Sequence, residues 1–228
     1  MREIIFDTET TGLYPLEGDR VTELGCVEVF NMIPTGREFH ALINPDRDIP
    51  AEVTAITGHT REMLRDKPRF EEVAKDFIAF VGDAVMVAHN APFDRGFINM
   101  ELTRAGLDPY PDSRFKDTAA MARERFPGSP ANLDALCKRF DISLESRTKH
   151  GALIDAYLLA EVYLELNGGR TRALDFAGLE GTDRTVRYAP RPPRPAPLQL
   201  SSTPEERALH AAFVAEMGEA RVWKRFGV

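Results

Sequence analysis

The chain has 228 residues, 43% of them hydrophobic, which suits one well-formed globular domain plus extensions. No apolar run approaches the ~20 residues a membrane helix needs, and two isolated cysteines, Cys26 and Cys137, point to the reduced cytoplasm rather than a disulfide framework. The formal net charge of −7 is unevenly spread, with 8 Lys and Arg against 5 Asp and Glu in residues 181–228, so residues 1–180 offer no broad basic face for holding nucleic acid.

Met1 to Asp7 runs straight into a motif, so no signal peptide is expected before it. Ile4-Ile5-Phe6 is a short apolar run that reads as a buried strand. Val21 to Asn31 and Arg37 to Ile43 read as two further strands, with a turn expected at Pro34-Thr35-Gly36. Residues 50–64 look helical with an interruption near Gly58. From Phe70 to Val81 the apolar positions 70, 73, 74, 77, 78 and 81 make a helical stripe. Ala84 to Ala88 is another continuous apolar strand, after which Pro92 opens a helix reaching about Ala105. Arg114-Phe115-Lys116 is a short strand, and Asp117 is placed to cap the helix after it. Two more helices are expected near 132–140 and 151–166. An initial meander followed by alternating strands and helices predicts an α/β fold, a mixed sheet flanked by helices.

Three segments carry the chemistry. They are Asp7-Thr8-Glu9-Thr10-Thr11-Gly12, then His89-Asn90-Ala91-Pro92-Phe93-Asp94, then His150-Gly151-Ala152-Leu153-Ile154-Asp155. Asp7 and Glu9 stand two apart at a strand end and so face the same way. Taken singly, Asp94 reads as a helix-start acid, Asp155 as part of a polar helix face and His150 as a loop histidine. Asp117 and Asp134 read as capping acids. His40, His59, His89 and His210 do not cluster with the cysteines, which argues against zinc. Four carboxylates gathered at one spot would repel and protonate unless cations held them apart, and oxygen-rich sites suit Mg²⁺ or Mn²⁺.

The order and spacing of these segments resemble the DEDD exonucleases, in the subgroup with a histidine five residues before the last aspartate. The other subgroup has a tyrosine four residues before it, where this chain has Gly151. Leu133 to Phe140, Arg147 to Ala152 and Asp155 to Ala160 extend the resemblance toward the proofreading epsilon subunits of bacterial DNA polymerase III. In all it covers roughly residues 2–176. The resemblance implies a ribonuclease-H-like fold and 3′→5′ removal of mispaired nucleotides from single-stranded or frayed DNA ends. It implies two metal ions held by Asp7, Glu9, Asp94 and Asp155, with His150 as the base. Thr10, Thr11, Gly12 and Leu13 would floor the terminal nucleotide, Gly12 allowing close backbone approach. Asn90 would lie near the scissile phosphate, and Phe93 would sit below the site or in the core. Two other readings stand beside this one: a free-standing RNA or oligonucleotide exonuclease, and a non-catalytic polymerase adaptor.

The expected domains are an exonuclease domain over 1–168, a Pro/Arg-rich linker over 169–202 and a helical docking segment over 203–228. Residues 181–198 carry five prolines and four arginines, the composition of a stiff, extended linker. Thr171 to Phe176 resembles a sliding-clamp-binding peptide, with threonine where that pattern usually begins with glutamine. Thr203-Pro204-Glu205-Glu206 is a capping box with proline at the first helical position. Leu209, Phe213 and Met217 then form an apolar stripe, followed by Trp223 and Phe226, that suits the polymerase catalytic subunit as partner.

Overall fold

The computed structural model describes residues 1–145, 150–169 and 202–216. By its contacts the chain divides into two compact units, Met1–Asp175 and Phe176–Val228. Unit 1 is built on a five-stranded mixed sheet. Its strands are β1 (Arg2–Thr10), β2 (Val21–Phe30), β3 (Ile33–Leu42), β4 (Val85–Ala88) and β5 (Phe115–Asp117), in the order β3-β2-β1-β4-β5. β1 is antiparallel to β2 and parallel to β4, and β4 is parallel to β5.

The Ile4-Ile5-Phe6 run of β1 is continuously apolar because both faces of the sheet are covered there. Ile4 and Phe6 enter a core with α3 (Phe70–Val81) and α4 (Ala91–Arg104), which contribute Phe70, Phe77, Phe97 and Ile98. Ile5 points the other way, joining Val27, Val29 and Val87 against Ala156, Leu159 and Tyr163 of α7 (Ala152–Leu166). The stripe on α3 buries Phe70, Ala74, Phe77 and Val81, as its spacing predicts. α7 is buried on two sides. One meets the sheet; Leu158, Val162 and Leu166 of the other meet α5 (Thr118–Arg125) and α6 (Leu133–Arg139). Asp117 caps α5 by accepting from the Ala119 amide at 3.0 Å. Asp134 is no cap: Asn132 accepts from the Ala135 amide at 2.8 Å, and Asp134 sits in the first turn of α6. The helical stretch after the meander is two short helices, α1 (Ala51–Thr57) and α2 (Arg61–Leu64), parted by left-handed Gly58 at φ 82°.

The hairpin differs from its sequence reading. The β2–β3 turn falls at Asn31–Met32, both with positive φ (51° and 68°), and Phe30 pairs with Ile33. Two consecutive left-handed residues match the right-handed twist of a two-residue hairpin. Pro34-Thr35-Gly36 lie inside β3, where the register shifts between Val27 and Val29. Gly36, at φ 86°, turns within that irregularity. Because β3 is an edge strand, Pro34 is tolerated there.

Unit 2 is described through α8 (Pro204–Glu216). Its capping box is formed: the Glu206 amide donates to Thr203 Oγ1 at 3.2 Å, and the Thr203 amide donates to the Glu206 carboxylate at 2.8 Å. Leu209 and Phe213 are exposed and Val214 is buried. Arg147 to Lys149, the Thr171–Phe176 peptide, the proline-rich stretch, Met217, Trp223 and Phe226 lie outside the described residues.

Candidate active site

The site lies at the end of β1, where helices from the two faces of the sheet converge. On the first face, strand alternation directs Asp7 and Glu9 toward α7, as it does Ile5. Their cross-strand partners are Gly25 and Glu23. A Cβ on Gly25 would lie 2.3 Å from the backbone of Ala152 and Leu153, so the start of α7 rests directly on β2 at that point. This close approach carries His150 and Asp155 to the strand end. Asp155 is buried in the first turn of α7, and its Oδ2 lies 3.3 Å from Nδ1 of half-exposed His150. Ligand atoms of Glu9, His150 and Asp155 lie within 4.8 Å of one another.

From the second face comes α4, with Pro92 in its first turn and Asp94 buried. Asp94 Oδ1 accepts from the amide of Thr8 at 3.1 Å and from its hydroxyl at 2.7 Å. Asp94 is thereby tied to the residue between Asp7 and Glu9. Burial pushes its pKa up to about 7, against the pull of those Thr8 hydrogen bonds. Among the described residues Glu9, His150 and Asp155 thus form a close trio, and Asp94 is joined to the same strand end through Thr8.

The segment after β1 is braced from below. Thr10 Oγ1 donates to the Gly12 carbonyl at 2.6 Å. Thr11 exchanges hydrogen bonds with Arg20 and donates to Asp19 Oδ1 at 3.1 Å, while Asp19 Oδ2 accepts from the Tyr14 amide at 3.0 Å. A Cβ on Gly12 would lie 2.3 Å from Asp19 Oδ2, so a side chain there would have to displace the Asp19 carboxylate from its hydrogen bonds. Thr10, Thr11, Gly12 and Leu13 line a cavity of about 560 Å³ together with Glu9 and Phe93. Phe93 is half-buried: its ring packs on Phe97 at 5.0 Å while the residue also faces the cavity. Asn90 is exposed in the left-handed region (φ 69°), and Asp117 accepts from its amide at 2.8 Å.

Several contributors were invisible to motif reading. Val53 and Ile56 of α1 add apolar surface to the lining of the cavity. Ile56 is 53% exposed, which only the folded structure reveals. Asp19 and the second role of Asp117, clamping the Asn90 turn, depend on contacts between segments and have no local signature. Carboxylates grouped with an imidazole make an oxygen-rich donor set, which fits a small hard divalent cation better than a soft one.

A family model described as exonuclease matches residues 4–163. The chain is 45% identical over 222 residues to the DNA polymerase III subunit epsilon of Rickettsia felis, covering 95% of this chain and 97% of that one. With the DNA polymerase III subunit epsilon of Escherichia coli K12 it shares 39% identity over 244 residues, covering 98% and 97%. Among solved structures it resembles exonuclease X in complex with 5′-overhanging duplex DNA, at TM-score 0.58 and 29% identity, covering 72% of this chain and 89% of that one.

Proposed function

The chain belongs to the exonuclease family and, within it, to the DNA polymerase III epsilon subunits, and from that premise we propose how its own residues carry out 3′→5′ proofreading. Asp7, Glu9, Asp94 and Asp155 hold divalent metal, Mg²⁺ or Mn²⁺, and His150 is the base. The observation that carries this is the convergence of Glu9, His150 and Asp155 within 4.8 Å beside the Thr8–Asp94 contact. When bound, divalent metal activates water and neutralises charge on the scissile phosphate and departing oxygen. His150 accepts the proton of the attacking water at an imidazole nitrogen. Asp155, at 3.3 Å from Nδ1, orients the ring. Thr10 to Leu13 form the floor under the terminal nucleotide, Phe93 and Ile56 pack against its base, and Asn90 lies toward the phosphate.

The test is direct. Purified protein with Mg²⁺ or Mn²⁺ is expected to shorten single-stranded DNA from its 3′ end, releasing 5′-mononucleotides, and chelator is expected to stop it. Cleavage that survives chelator, or mainly internal cuts, would overturn the reading. Because Asp and Glu outnumber Lys and Arg over residues 1–180, the domain cannot separate a stable duplex by backbone attraction. Rates should therefore rank single strands and mismatched 3′ ends above paired ends; equal rates on all three would reject that charge argument.

Residues 203–228 are proposed as the tether to the polymerase catalytic subunit, and Thr171–Phe176 as a contact to the sliding clamp. Support comes from the formed capping box of α8 and the exposure of Leu209 and Phe213, apolar anchors suited to a groove. Among the described residues no helix is long and apolar enough to cross a membrane; Cys26 and Cys137 are buried and outside any disulfide, in keeping with a cytoplasmic protein. Removing residues 181–228 should leave hydrolysis of short single strands nearly unchanged and abolish co-elution with the polymerase. Undiminished binding by the truncated protein, or loss of its nuclease activity, would refute the tether.

A further inference from the structure

We propose that Glu23 is a positioning residue for the exonuclease reaction: clamped by His40 and His59, it seats the start of α7 and thereby sets the geometry of His150. The inference rests on the reading of His150 and Asp155 given above.

Glu23 is buried on β2, on the sheet face that also carries Asp7, Glu9 and Gly25. Its Oε1 lies 2.7 Å from His40 Nε2 on β3, and its Oε2 lies 3.2 Å from His59 Nε2. His59 is itself buried, and its Nδ1 lies 3.1 Å from the Thr22 hydroxyl. The Ala152 amide is a third partner of the carboxylate. Burial would raise the pKa of Glu23; the hydrogen bonds from His40, His59 and Ala152 overturn that and hold it at about 2. The same contact pushes the His40 imidazole up.

What this does for α7 follows from the helix start. A helix leaves its first amides without intrahelical acceptors, and a side chain at the N-cap usually supplies one. Here the N-cap is Gly151, which has no side chain to offer. Glu23 supplies the missing acceptor from a neighbouring strand, and its negative charge suits the positive end of α7. Two residues further along β2, Gly25 lets the Ala152–Leu153 backbone come into contact. The arrangement closes on itself: the His150 amide donates to the Ile56 carbonyl at 3.3 Å, Ile56 belongs to α1, and His59 follows the Gly58 cap of that helix. Segments around residues 23, 40, 59 and 151 therefore hold one another. A fifth metal-binding carboxylate is the competing role for Glu23, but both its oxygens already face imidazoles.

The experiment measures kcat, KM and metal-induced thermal stabilisation of the full chain on a short single strand. Glu23→Ala is expected to lower kcat about 10–100-fold, as loss of an orienting contact behind a site typically does. KM should stay within about threefold of the wild type, and the stabilisation by Mn²⁺ should persist. Glu23→Gln keeps one carbonyl acceptor and should recover part of the loss. Adding Glu23→Ala to His150→Ala should cost much less than Glu23→Ala costs alone, because Glu23 acts through that histidine. Should Glu23→Ala fail to fold, Glu23→Gln and His40→Ala carry the same test, with smaller kcat losses and unchanged KM. Unchanged kcat in these variants overturns the proposal, while the His150 assignment stands. Loss of the Mn²⁺ stabilisation overturns it in favour of a metal ligand, and full additivity with His150→Ala overturns it in favour of a general structural role. Wild-type turnover in His150→Ala itself would instead defeat the functional reading on which the proposal rests.

Discussion

Replacing His150 by alanine is expected to lower turnover on single-stranded DNA by about 10²–10⁴, the usual contribution of a positioned base. The fold should survive, because the His150 side chain is half exposed and lies at the edge of the α7 start rather than in the core. Divalent metal should still raise the melting temperature, since the proposed ligands Asp7, Glu9, Asp94 and Asp155 remain and a ligand of the native state alone stabilises it. Asp155→Ala should differ in kind. It removes a buried carboxylate from the trio and should lose turnover and most of the metal-induced stabilisation together. Paired measurements of turnover and melting temperature check both variants, and a wild-type rate for His150→Ala across neutral pH would dismiss the base.

Asp94→Asn is expected to abolish activity and yet stabilise the metal-free protein at pH 8. The reason lies in the sign of the linkage. Burial raises the Asp94 pKa to about 7, above its ordinary value of 3.8. Between those values the folded protein keeps a proton that the unfolded chain has released, so stability falls as pH rises and levels off above about 7. Each unit of difference is worth about 1.4 kcal/mol, which sets the full effect on the order of a few kcal/mol. An amide stays neutral throughout and escapes the loss, while it can still accept from Thr8. Thermal melts in chelator from pH 4 to 8.5 should show wild type and Asp94→Asn diverging as pH rises. Divalent metal should reverse the decline in the wild type alone, because a cation favours the ionised carboxylate. Parallel curves would mean that Asp94 is already ionised in the metal-free fold.

Much of the architecture was legible because its signals are local. The six-position stripe of α3, Pro92 opening α4, Asp117 before α5 and the Thr203–Glu206 box each involve residues close in sequence, within a single element or its cap, and each element is where its spacing predicts. The hairpin was misread for an equally specific reason. Met32 takes a left-handed conformation that its side chain does not advertise, while the proline and glycine that do advertise a turn serve an irregular edge strand. Asp134 was misassigned as a cap because Asn132, two residues earlier, offered the same chemistry at the right distance.

The sequence by itself determined the chemical inventory: which carboxylates, which histidine, and the order in which they occur. Motif order carries that information because strand ends and helix first turns present side chains in set directions. Only the tertiary structure decided who meets whom. That Glu9, His150 and Asp155 crowd together while Asp94 bonds to Thr8, that Gly25 lies against α7, and that Glu23 gathers His40, His59 and Ala152 are all outcomes of the tertiary fold. The physical reason is that local propensity sets the elements, but their relative placement comes from burying two faces of one sheet at once. A contact between residues more than a hundred positions apart leaves no periodicity behind; it exists only when the whole core has closed around it.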